Sequence, residues 1–101
     1  MGMEIVLSRS IFTEESITVG VTSVGLTAAT FAPANAIEAR YALITVETDA
    51  IRWYASGTAA DASGHLTNNG DVIELQGNEN VRNFRAIRVT ANATIRVSYG
   101  R

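Results

Sequence analysis

The sequence predicts an all-β protein, a single small β-sandwich of about seven antiparallel strands, and three observations carry that prediction. Short runs alternate β-branched or aromatic residues with polar ones, the period-two pattern of a half-buried strand. Clusters of Gly, Asn and Asp separate these runs roughly every ten residues, a spacing typical of sandwiches. No window repeats apolar residues at i, i+3, i+4 and i+7 for three turns, so helix is minor. The 101 residues suit one domain, enough to remove roughly two-thirds of the unfolded surface from water. Apolar residues at 47% against 18% charged point to an ordinary packed core. Turn lengths leave the topology open between jelly-roll and immunoglobulin-like.

The first run, "SITVGVTSVG", sets Ile17, Val19 and Val21 against Thr18, Gly20 and Thr22. Pro33, the only proline, sits in "TFAPANA", which reads as a crossover loop or one helical turn. "EARYALITVET" is apolar on both sides and belongs in the middle of a sheet with both faces covered. Asp49 and Ala50 then make a short corner into "IRWYAS", a hairpin in the simplest reading. In that strand Trp53 is expected in the core and Tyr54 outside, beside Arg52 and Ser56.

"SGTAADASGHLTNNGD" has the composition of a long loop, "DVIEL" is a short strand, and "QGNEN" is a turn. The last two strands, "FRAIRVT" and "ATIRVSY", are joined by "AN", which predicts a tight antiparallel pair. Alternation puts Ile87 and Val89 opposite Arg88 and Thr90, and Ile95, Val97 and Tyr99 opposite Thr94, Arg96 and Ser98.

Charge is distributed unevenly along the chain. The net charge is −2, yet residues 1–50 hold two arginines and six acids, whereas residues 51–101 hold six arginines and four acids. All eight basic residues are arginine, the side chain suited to planar and bidentate contacts at interfaces. A solvated strand face is the ordinary explanation for such arginines. The sharper expectation is a partner-facing patch of Arg82, Arg85, Arg88 and Arg96, with Arg101 at its margin. Acids from the N-terminal half of a neighbouring copy would complement it. Arg52 and Tyr54 join the expected interface because an exposed aromatic is a common anchor. A net negative charge argues against general nucleic-acid affinity.

Residue patterns for chemistry are weak. The absence of cysteine excludes disulfides, thiolate catalysis and zinc–thiolate sites. His65, Asp61, Ser63 and Ser56 assemble a triad on paper, but without a nucleophile elbow they read as loop formers. Asp71, Glu74 and Glu79 do not follow a calcium-loop spacing, and no phosphate-cradling glycine motif is present. Asn92-Ala93-Thr94 matches a glycosylation sequon inside a turn. Trp53, Tyr54 and Tyr99 are the candidates for an aromatic sugar platform. The reading is therefore non-enzymatic, with no cofactor and no metal. Apolar runs fall far short of the roughly twenty residues of a membrane span, and "MGMEIVLSRSIF" lacks the basic start of a signal peptide.

From residue 36 onward the motifs "AIEARYALITVE", "IRWYASGTAADASGHLTNNGDVIEL", "NVRNFRAIRV" and "ATIRVSYGR" follow in order over about two-thirds of the chain. This order resembles a family of small virion structural proteins of tailed bacteriophages. The matching residues are Arg52 with Trp53, Gly57 with Thr58, Gly64, and Phe84 with Arg85 and Ile87. Relatives tend to carry Asp-Gly-Thr and a following proline where this chain has Ser56-Gly57-Thr58 and Ala60-Asp61. The resemblance implies a β-sandwich capsid decoration or cement protein in the virion, assembled in the host cytoplasm. Its partners would be copies of itself, with threefold assembly one form, and the major capsid protein or another virion protein. A tail fibre or baseplate component, or a module binding host-surface carbohydrate, is the alternative.

Overall fold

The computed structural model describes residues 10–101, so most of the segment weighed as a signal peptide lies outside the described residues. Among the described residues eight strands are present where about seven were expected: β1 (Ile11–Val19), β2 (Val24–Gly25), β3 (Tyr41–Glu47), β4 (Ile51–Tyr54), β5 (His65–Thr67), β6 (Val72–Gln76), β7 (Arg85–Arg88) and β8 (Ala93–Gly100). They form two antiparallel sheets, sheet A in the order β1-β8-β3-β6 and sheet B in the order β2-β7-β4-β5.

The pairing is nested. β1 pairs with β8, β2 with β7, β3 with β6 and β4 with β5. Lateral ladders β3/β8 and β4/β7 then close each sheet. A ribbon folded back on itself between β4 and β5 and rolled into two layers is a jelly roll, which decides between the two topologies left open by the sequence.

Nesting overturns two expected hairpins. β3 and β4 lie in different sheets, as do β7 and β8, so both tight connections carry the chain across the sandwich. At the first corner Thr48 has φ 77°, and the Asp49 N–H donates to the Glu47 carbonyl at 2.9 Å. This three-residue turn ends β3, and the chain continues into sheet B. The predicted first strand also splits: β1 ends at Val19, and the chain turns into the two-residue β2.

The expected long loop contains β5, and the expected "QGNEN" turn runs into a helix, α2 (Asn78–Asn83), entered through Gly77 at φ 95°. A single helical turn, α1 (Ala28–Phe31), stands just before Pro33. Val81 of α2 and Phe31 of α1 both reach the core.

Between the sheets, sheet A contributes Val19, Ala42, Ile44, Val46, Ile73, Leu75, Ile95 and Val97, and sheet B contributes Ile51 and Ala86, joined by Phe84. β3 is central as expected, but only its even-numbered face is fully buried; Leu43, Thr45 and Glu47 on the other face are half-buried. Tyr99 is fully buried, 6.0 Å from the Phe31 ring. Its hydroxyl donates to the Glu15 carboxylate, which also accepts the Thr27 N–H at 3.2 Å. Burial, then that carboxylate, pushes the Tyr99 phenol well above its ordinary range.

Candidate interaction surface

The fold scatters the expected arginine patch. Arg82 lies on α2, Arg96 on the outer face of sheet A, and Arg85 and Arg88 on opposite faces of β7. Arg82 reaches Glu38 at 2.6 Å and Arg96 reaches Glu47 at 2.9 Å, so acids of the N-terminal half meet arginines of the C-terminal half within one chain. The hydrogen bond from Arg82, followed by that from Asn78, holds the Glu38 carboxyl below the usual carboxylate range. Arg88 donates to Asn92 at 2.7 Å. Arg101 donates to the Ile37 carbonyl at 2.9 Å and lies over the Phe12 ring.

Three of the expected residues do converge, on the outer face of sheet B. Register puts Leu66, Arg52 and Ile87 in one row across β5, β4 and β7, and Tyr54 beside Arg85 in the next. Leu66 is 49% exposed and Val89, just beyond β7, is 45% exposed. Arg52 donates to the Gly64 carbonyl at 3.2 Å and Tyr54 to Asp61 at 3.2 Å. The Arg85 guanidinium has no hydrogen bond or ion pair among the described residues.

Ile87 faces outward because β7 runs in the opposite phase to the expected one. Phe84 and Ala86 are fully buried, and this parity puts Arg85 and Ile87 outside. Burying a phenylalanine outweighs burying one more aliphatic residue, since hydrophobic stabilisation follows the apolar area removed from water. Arg88 consequently shares the inward parity and escapes at the strand end toward Asn92. The sequence reading missed Leu66, Ile87 and Val89 as surface residues for this reason, and nothing in the "GHLTN" context marks Leu66 as part of a strand.

The outer face of sheet A has the opposite character. Rows of Ser16, Arg96, Thr45 and Val72, then Glu14, Ser98, Leu43 and Glu74, cross its four strands. A shallow depression between β1 and β8 is lined by Glu14, Glu15, Ser16, Arg96, Val97 and Ser98. Ser98 donates to Glu14 at 2.8 Å and Tyr41 to Glu74 at 2.9 Å. Burial, then the Glu74 carboxylate, pushes the Tyr41 phenol up to about 12.

The aromatic candidates do not form a platform. Trp53 is half-buried, with His65 at 5.0 Å and Phe84 at 5.6 Å between ring centroids, and its indole N–H donates to Thr67 at 2.9 Å. Tyr54 is half-buried rather than exposed, and Tyr99 is sealed in the other sheet. His65 stands on β5 rather than in a loop, while Asp61 is engaged by Tyr54 and by the Ser63 N–H. Asp71 accepts the Asn68 N–H at the turn before β6, Glu74 lies on β6, and Glu79 lies in the first turn of α2. Among the described residues no group of three or more such side chains is placed to hold a metal ion, and no helix is long and apolar enough to cross a membrane.

Gly64 has a stringent local role. A Cβ there would stand 2.8 Å from the Trp53 nitrogen and 3.0 Å from its oxygen, so only glycine lets the chain lie against β4 at this point. That close approach seats β5, and with it Leu66, at the edge of the sheet B face. No protein-family model, curated protein or solved structure matches the chain.

Proposed function

We propose that this chain is a non-enzymatic virion structural protein, a capsid decoration or cement protein that binds copies of itself and the major capsid protein. The observation that carries this reading is the outer face of sheet B, where Leu66 and Val89 are exposed and Ile87 is half-buried beside Arg52, Tyr54 and Arg85. Apolar side chains mixed with arginine and tyrosine are the composition of a protein–protein contact. The jelly-roll topology agrees with a coat role, since viral capsid domains use it, although lectins and cupins do as well. The ordered motifs from residue 36 onward point to tailed-phage virions in particular.

The proposed action is mechanical. Each copy adds buried area across capsid subunits and so raises the force needed to part them. Sedimentation with and without empty capsids from the same source tests it. The protein is expected to co-sediment with capsids, and Leu66→Asp combined with Val89→Asp, both at exposed positions, to abolish co-sedimentation while leaving the thermal midpoint nearly unchanged. A protein that ignores capsids but binds purified tails or a glycan array would replace this reading with the tail-fibre one.

A further inference from the structure

Building on that proposed self-association, we infer that copies of this chain stack front to back, the outer face of sheet B of one copy resting on the outer face of sheet A of the next. The two faces differ in sign. Sheet B presents Arg52 and Arg85, neither paired with a carboxylate among the described residues, against one carboxylate at its margin, Asp61, bonded by the Tyr54 hydroxyl, so its arginines outnumber its acids. Sheet A presents Glu14, Glu47 and Glu74 around Arg96; Arg96 neutralises Glu47, while among the described residues Glu14 and Glu74 are bonded only by the hydroxyls of Ser98 and Tyr41. The hydroxyls leave both carboxylate charges in place.

Like-on-like pairing is unfavourable on either side. A twofold contact through sheet B would set arginines against arginines, and one through sheet A would set carboxylates against carboxylates. Front-to-back contact brings opposite signs together and removes both conflicts. It also gives Leu66 and Ile87 an apolar counterpart, because Leu43 and Val72 stand half-buried in adjacent rows of the sheet A face.

Shape permits the contact and fixes its geometry. The molecule is a slab of 38 × 34 × 19 Å, so each broad face projects on the order of 1,000 Å², above the ~800 Å² per partner of a standard interface. The faces lie on opposite sides of the slab, so repeating the contact translates each copy away from the last. Such a heterologous contact propagates as an open stack and does not close a threefold ring. With sheets spaced about 10 Å apart, two per copy, the stack repeats at roughly 20 Å.

Sedimentation velocity, with electron microscopy of the assembled fraction, tests the stack. The wild-type protein is expected to form a concentration-dependent ladder of species that weakens roughly tenfold at high salt, with columns of the predicted repeat. Arg52→Glu with Arg85→Glu should leave monomers, as should Glu14→Lys with Glu74→Lys. An equimolar mixture of the two variants should assemble again, because each supplies the sign the other has lost. Arg85→Glu alone, at an exposed position, weakens assembly in the same direction and guards against misfolding of the double variant. The proposal is overturned if the Glu14→Lys, Glu74→Lys variant assembles like wild type, or if a discrete dimer or trimer forms. A wild-type monomer that still co-sediments with capsids would remove the stack and leave capsid docking standing.

Discussion

Sheet A and sheet B are built from the same ribbon and differ in almost every other respect. The strands of sheet A run to 9, 8, 7 and 5 residues, and its outer hydroxyls and carboxylates bond one another. Those of sheet B run to 2, 4, 4 and 3 residues, and its outer face leaves aliphatic side chains in water. Long ladders and satisfied polar groups make a scaffold; short strands with exposed apolar groups make a presenting surface. Division of labour between the two layers lets so small a domain keep a buried core while leaving aliphatic side chains exposed.

That contrast breaks most readily at the centre of sheet A. Ile95→Ala removes a fully buried side chain from β8, and a loss of about 3 kcal/mol in urea unfolding is expected. A loss below 1 kcal/mol would deny sheet A its role as scaffold. Gly64→Ala should follow at about 2–3 kcal/mol, because its methyl group meets backbone rather than a movable side chain. If β5 peels away instead of the whole domain unfolding, hydrogen exchange will rise at His65–Thr67 alone.

Alkaline titration sharpens the comparison further. The Tyr41 phenol ionises near its ordinary value of 10.0 when unfolded and at about 12 when folded. The folded state therefore keeps a proton that the unfolded chain loses, and stability present below pH 10 declines as pH climbs toward 12. Tyr41→Phe should remove on the order of 2 kcal/mol of that decline, and Tyr99, shifted in the same direction, accounts for a remaining share. Equal slopes for variant and wild type would show that neither the burial of the Tyr41 phenol nor its bond to Glu74 holds in solution. Smallest in stability is Leu66→Ser: a change within about 0.5 kcal/mol is expected, accompanied by weaker self-association.

Strand existence was legible in the sequence, and strand partnership was not. Alternation in "IRWY", "VIEL" and "ATIRVSY" is a local signal, set by which side of the pleat each residue occupies. Nested pairing is a long-range property: Glu15 lies opposite Val97, and the whole of β2 to β7 lies between them in sequence. Corners such as Thr48-Asp49 carry the same residues as hairpin turns, so local chemistry cannot tell a reversal from a crossing. α2 escaped because "NENVRN" offers one apolar residue and hence no period. Alternation puts Arg52 and Tyr54 on one face, and register, which the sequence does not show, brings Arg85 beside Tyr54 there. Their apolar companions were missed because Ile87 was assumed to be the inward residue that Phe84 and Ala86 turned out to be. Departures from simple patterning tend to mark functional surfaces, and β7 is where this chain departs.

The position of β8 governs the order in which the molecule is made. It follows the other seven described strands in chain order, yet it lies between β1 and β3, bonded to both. Until it arrives, β1 has no ladder to join, and β3 can pair only with β6. β4 and β5 are free to close early, and sheet B can form ahead of its partner layer. Closure of sheet A is thus committed by β8, and contacts so distant in sequence set a slow pace, in the millisecond-to-second range of all-β domains. During that interval the inner faces of β1 and β3 are open to any neighbouring nascent copy, so crowding on a polysome is the condition under which this protein is most exposed to misassembly.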